Sequence, residues 1–240
     1  MSSWSQFVDY ITTWANWTGS TGVLHRLQEH VVLTVVAVVI AGAVALPLGL
    51  SLGHVGRGGT LAINITNVGR AVPTFAVLTL LTLSPIGVGN RATVIALVLF
   101  ALPPLVTNSY VGIREVDGEV RDAARGMGMS GMQVFRRVEL PLAMPLVMAG
   151  IRIATVQVVA TATIAALVGA GGLGRLVTDG LSSRNEGELL TGAVVVALLA
   201  LVVEAALALV QRRVDPTKAI RRNAGTRGAG FAEALDETES

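Results

Sequence analysis

Few residues in this chain could do chemistry, and most of their spacings fail the reactions they would serve. Gly169-x-Gly171-x-x-Gly174 has the spacing of a dinucleotide-binding turn. That turn needs a preceding strand and an acid about 20 residues further on for the ribose. Here a long apolar run precedes it and Asp179 comes too soon. The four glycines Gly169, Gly171, Gly172 and Gly174 read instead as a turn at the outer end of that apolar run. No G-x-x-x-x-G-K-[ST] occurs, and Lys218 is the only lysine. The chain therefore cannot cradle ATP phosphates as a P-loop does. His25, His30 and His54 form no H-E-x-x-H helix and read as loop or interfacial residues. With no cysteine, thiol catalysis, disulfides and Cys-ligated zinc are excluded. No metal, cofactor or catalytic constellation is expected.

Four polar residues remain within or near apolar runs: Arg70, Arg152, Gln157 and Glu204. Such groups face a bundle interior or a water-filled path. Arg70 or Arg152 could meet Glu204 or a substrate carboxylate during passage; a helix–helix pair is the favoured reading.

These residues sit in a chain of 240 residues with 52% hydrophobic and 14% charged composition. A soluble domain carries about 25% charge. A spanning helix needs about 20 mostly apolar residues. Candidates run over Val31–Leu52, Leu61–Leu83, Ala92–Val111, Leu142–Val168 and Leu189–Val210. The second holds Asn64, Asn67, Arg70 and Pro73, so its apolar part starts near Ala71. The expected fold is an all-α polytopic membrane bundle of five spans, or six if the tryptophan segment also crosses. Frequent Gly and Pro within the spans predict a closely packed, bent bundle.

The N-terminal stretch has no basic n-region and is not expected to be a cleaved signal. Its Trp4, Trp14 and Trp17 fit headgroup-level anchoring; a cation–π cage for a quaternary ammonium is the second reading. Residues 1–30 are expected as an extracytoplasmic or interfacial segment, 31–213 as the transmembrane domain and 214–240 as a disordered tail. With five spans, Arg57, the basic loop around 113–141 and the tail share one side. The positive-inside rule makes that side cytoplasmic and puts the C-terminus inside.

The loop Ile113–Pro141 has the most local detail. Asp117 can cap a helix over Gly118–Arg125, with Glu119 in its first turn. Gly126 and Gly128 are expected to end it. Ser130 and Gln133 have the spacing of a capping box for a second short helix through about Val138, which Pro141 stops. Ala123 and Ala124 offer a small, flat face. Met127, Met129 and Met132 could fill a partner's cleft.

The pattern Asp122-Ala123-Ala124, three residues, Gly128, nine residues, Val138-x-Leu140-Pro141 resembles the signature E-A-A, three residues, G, nine residues, I-x-L-P of ABC importer permeases, with Asp for Glu and Val for Ile. LPLGL at 46–50, GRAVPTFAVL at 69–78, ALPPLVTNSYVGI at 101–113 and GAGGLG at 169–174 are similar to osmoprotectant permeases with a MetI-like fold. The resemblance spans about Val31–Arg213. It implies that the loop is a coupling helix docking on an ATP-binding subunit through Asp122, Ala123, Ala124, Gly128, Val138, Leu140 and Pro141. It further implies a bacterial inner-membrane permease, paired with a second copy or a sister permease. An ATPase dimer would carry ATP and Mg²⁺, and an extracytoplasmic binding protein would deliver glycine betaine, choline, carnitine or another zwitterion such as ergothioneine. An ion-coupled secondary transporter is the rival, but no internal repeat is evident and Glu204 is the sole acid well inside a span.

Overall fold

The computed structural model describes residues 2–59, 63–64 and 72–214, and every regular element among them is helical. In order these are α1 (Ser3–Thr12), α2 (Val23–Val55), α3 (Thr74–Leu83), α4 (Asn90–Arg114), α5 (Gly118–Gly126), α6 (Gly131–Val134), a π turn (Phe135–Glu139), α7 (Leu140–Ala165), α8 (Gly174–Ser183) and α9 (Glu186–Val214). Four helical runs among the described residues are long and apolar enough to cross a membrane: α2, α4, the continuous run Gly131–Val168, and α9. The expected span Leu61–Leu83 is represented by α3, which starts just after Pro73; most of its first half, Arg70 included, lies outside the described residues, as does nearly all of the 214–240 tail.

A seam of small residues forms the centre. Ala37, Ala41, Ala45, Gly49 and Gly53 recur every fourth residue along α2, and all five are buried. This spacing keeps them on one face, where small side chains let helix backbones come close. Against them α4 brings Leu97, Ala101, Leu105 and Val106, and α7 brings Ala154, Val158 and Ala162. At Gly49 a Cβ would lie 2.7 Å from the Val106 carbonyl and 2.8 Å from Ser109 Cβ. The same closeness joins α4 to α7, where a Cβ on Gly150 would lie 2.6 Å from Asn108 Cβ. The outward faces of α2 and α9 carry Val32, Val35, Val39, Leu198, Leu201 and Val202, all exposed, as lipid-facing surfaces require.

At 33 residues, α2 is about 50 Å long, beyond the ~30 Å of hydrocarbon. It starts eight residues before Val31, so the expected boundary at residue 30 falls inside a helix. The polar residues there are carried in the helix because Glu29 is satisfied locally by Arg26 and by a distant turn, as described below. At that same end α1 and α8 pack on the start of α9, with Gly187 against the Gln6 carbonyl and Gly192 against Leu176. At the opposite end α2 and α4 finish and α7 begins, joined by α5 and α6.

Candidate functional site: an elbow at the root of three helices

The elbow follows its local signals. Asp117 caps α5, its carboxylate accepting from the Glu119 N–H at 2.9 Å. The end of α5 is a Schellman turn. Gly128 N–H donates to the Arg125 carbonyl and Met129 N–H to the Ala124 carbonyl, with Gly128 at φ +83°. Gly126, expected to share that role, is the last helical residue. The Ser130–Gln133 capping box is present in both directions, at 2.7 and 3.4 Å.

Two expectations about the elbow change. Ala123 is exposed but Ala124 is buried, because neighbours on a helix point about 100° apart. The exposed apolar face of α5 is instead Val120, Ala123 and Met127, at i, i+3 and i+7; Met132 on α6 is also exposed and Met129 is half-buried. Val120 was legible in that spacing and was missed. Asp122 and Arg125 pair at 3.5 Å on the surface, a contact worth little.

Nor does Pro141 stop the second helix. Gly131–Val168 is one continuous run. A π turn over Phe135–Glu139 precedes α7, and Pro141 falls in the first turn of α7, where its lacking N–H is tolerated. The elbow is thus continuous with a spanning helix, with Val138, Leu140 and Pro141 half-buried at the bend.

Beneath the elbow lies a cluster that sequence reading did not assemble. Glu139 is 1% exposed. His54 Nδ1–H, at the end of α2, donates to its Oε2 at 2.5 Å, and Arg121 Nε of α5 faces its Oε1 at 3.6 Å. The His54 ring also leans on Phe135 at 5.2 Å between centroids. Arg121 Nη2 donates to the Ile113, Arg114 and Val116 carbonyls, closing the C-terminus of α4. Stripping a buried carboxylate of its partners costs about 3–5 kcal/mol. His54 is therefore not a loop residue. His30 is not one either: it is fully buried in α2, its Nε2–H donating to the Val159 carbonyl of α7 at 3.0 Å.

Of the polar residues in the spans, Arg152 and Glu204 meet directly, and Arg152 Nη1 also donates to Gln211 Oε1 at 2.5 Å. Gln211 Nε2 in turn donates to the Pro145 carbonyl at 2.9 Å. Gln157 lines the same α7 groove as Arg152 and Glu204, but its amide is engaged elsewhere. It donates to the Phe100 carbonyl at 3.3 Å. That is the carbonyl which Pro104, lacking an N–H, leaves free in α4. Gln157 repairs a proline break, as neighbouring helices do in membranes.

The glycine turn is docked on the start of α2. Gly172 N–H donates to Glu29 Oε2 at 2.9 Å, and Arg26 donates to the same oxygen at 2.9 Å. Gly169 and Gly172 have φ +89° and +90°. Gly174 is required by space, since a Cβ there would run into the Thr163 carbonyl, while Gly171 faces the movable Glu29 carboxylate.

Trp17 Nε1–H donates to the Ile11 carbonyl and packs with Val23, Leu173 and Leu176, while Trp4 and Trp14 stay about 70% exposed. Two of the three tryptophans thus suit an interface and the third, half-buried, packs against the core.

Comparison with known proteins places this architecture. Residues 45–219 match the family model described as the binding-protein-dependent transport system inner membrane component. The chain is 34% identical over 199 residues to a glycine betaine/carnitine/choline transport system permease protein of Bacillus subtilis, covering 83% of this chain and 91% of that one. It is 37% identical over 214 residues to a carnitine transport permease protein of Listeria monocytogenes, covering 89% and 97%. With an osmoprotectant import permease protein of Salmonella typhimurium it shares 37% over 195 residues, covering 80% and 82%. Among solved structures, the MetNI methionine ABC transporter superposes with TM-score 0.70 at 24% identity, over 80% of this chain and 95% of that one.

Proposed function

This chain belongs to the family of binding-protein-dependent transport system inner membrane components, and on that premise we propose that it carries a small quaternary-amine osmoprotectant inward through an ATP-driven importer. Glycine betaine, choline and carnitine are the substrates named for its relatives; another zwitterion such as ergothioneine is the second reading. The chain makes no covalent change. ATP and Mg²⁺ belong to a partner ATPase dimer. A second copy or a sister permease completes the path, and an extracytoplasmic binding protein supplies the substrate. The elbow faces the cytoplasm with the C-terminus, as the arginine distribution supports.

The observation that carries the reading is the exposed Val120, Ala123, Met127 and Met132 surface either side of the Gly128 turn, after which the chain runs helical without a break from Gly131 into α7. An apolar patch at a membrane protein's aqueous end marks a docking surface. A partner seated there could pull α7 without touching the bilayer. Tagged permease purified in mild detergent should bring down an ATP-binding subunit. Recovery of the permease without any such subunit, under conditions where uptake persists, contradicts this assignment.

Arg152 and Glu204 act as a pair holding α7 to α9. Arg152→Ala should lower both folded protein and uptake, and exchanging the charges (Arg152→Glu with Glu204→Arg) should restore both to within about threefold, the scale of coupled neighbours. A swapped protein that inserts normally but stays inactive would make the pair part of the path. If Arg152→Ala leaves expression and transport unchanged, the residue has neither role.

A further inference from the structure

We infer that Glu139, His54 and Arg121 are positioning residues that make the elbow move as one body with the inner ends of α2, α4 and α7. This rests on the transport reading above and adds to it the route by which motion at the docking surface reaches the spans. The three residues come from the π turn, α2 and α5, and a single buried carboxylate joins them. Arg121 extends the junction to the Ile113 and Arg114 carbonyls at the end of α4 and to the Val116 carbonyl just past it. Backbones close the same junction from outside it. A Cβ on Gly53 of α2 would lie 2.7 Å from Ile113 Cβ, and one on Gly112 of α4 would lie 3.1 Å from the Ala143 carbonyl. Cores so close-packed transmit displacement rather than absorb it. Val120, Ala123 and Met127 of the docking stripe are exposed, whereas the Glu139 carboxylate at the centre of the junction is buried. Docking and transmission are thereby assigned to different residues of one short segment.

The separation predicts uncoupling. In the assembled complex of permease, ATPase and binding protein, Glu139→Gln keeps the shape of the side chain but removes its charge. It should retain the ATPase subunit and its hydrolysis while lowering substrate moved per ATP by about tenfold, within the range of site-to-site couplings. His54→Ala should do the same. His54→Asn, whose amide nitrogen can take the place of Nδ1, should restore coupling. Wild-type stoichiometry in Glu139→Gln and His54→Ala overturns the inference, and so does loss of the ATPase subunit together with uptake, which would make the cluster part of the docking face.

A second measurement holds even where a variant inserts poorly. The chain has no cysteine, so spin labels can be placed at Glu119 on α5 and Leu48 on α2 without further substitution. In the unaltered junction their separation should be single, narrow and equal in nucleotide-free and vanadate-trapped complexes. A separation that changes on trapping means the elbow moves relative to α2, and the inference fails. If the wild-type complex does not link uptake to hydrolysis at all, it is the transport reading that falls.

Discussion

Gly128→Glu should leave the protein in the membrane at near wild-type amounts and reduce uptake a hundredfold or more. Gly128 is exposed, and a Cβ there meets nothing within 4 Å. The chain can therefore accept a side chain sterically. The cost within the subunit is conformational, because φ is +83°. A left-handed residue with a Cβ costs about 1–2 kcal/mol, a modest part of the 5–15 kcal/mol that holds a typical fold. The cost at the docking surface is larger. The new carboxylate would stand beside Met127 and Met132, both exposed. A partner closing over it would have to desolvate an unpaired charge, at several kcal/mol. Each 1.4 kcal/mol is tenfold in affinity. Gly128→Ala separates the two effects, since it carries the strain without the charge and should lose only a few-fold in uptake. Membrane abundance, ATPase co-purification and uptake measured on the same preparations check the prediction; normal transport by Gly128→Glu would reduce the elbow to a connector.

Gly49→Leu should do the opposite, removing folded protein rather than disabling it. At this position even a Cβ is 2.7 Å from a backbone carbonyl, so α2 and α4 must separate for it to fit. Overpacking costs about 1–3 kcal/mol where neighbours can shift. Here the obstruction is backbone on a second helix, which cannot rotate away, and the seam runs on through Ala45 and Gly53. Gly42 provides the control on the same helix. Its nearest neighbour is Leu46 Cδ1 at 3.9 Å, so Gly42→Leu should be tolerated. Melting in detergent, followed by the monodisperse fraction on size exclusion, should show Gly49→Leu lost and Gly42→Leu near wild type. Equal behaviour of the two would remove the seam as the organising contact.

What could be read from sequence divides by the range of the interaction. Asp117, Ser130 with Gln133, and Gly128 act on backbone within five residues, and each sits where its spacing placed it. The long apolar runs likewise mark α2, α4, α7 and α9. The misreadings come from contacts closed by the fold. The expected boundary at residue 30 misplaces the start of α2 because a partner that holds Glu29 within it, the Gly172 N–H, is 143 positions away. His54 and Glu139 are 85 positions apart. Gln157 reads from sequence as a group facing the bundle interior or a path, and its partner, the Phe100 carbonyl freed by Pro104, is 57 positions away. Pro141 misled for another reason. A proline ends a helix only where its N–H is needed, and the π turn moves that requirement elsewhere.

The most direct test of the account is the energy source for uptake. Labelled glycine betaine, choline and carnitine should enter cells or proteoliposomes carrying this permease with its ATPase and binding protein. Orthovanadate should block that entry, and a protonophore should leave it intact while ATP is supplied. Uptake that survives vanadate and collapses with the protonophore would contradict the account, because an elbow built to receive an ATPase would then have nothing to transmit.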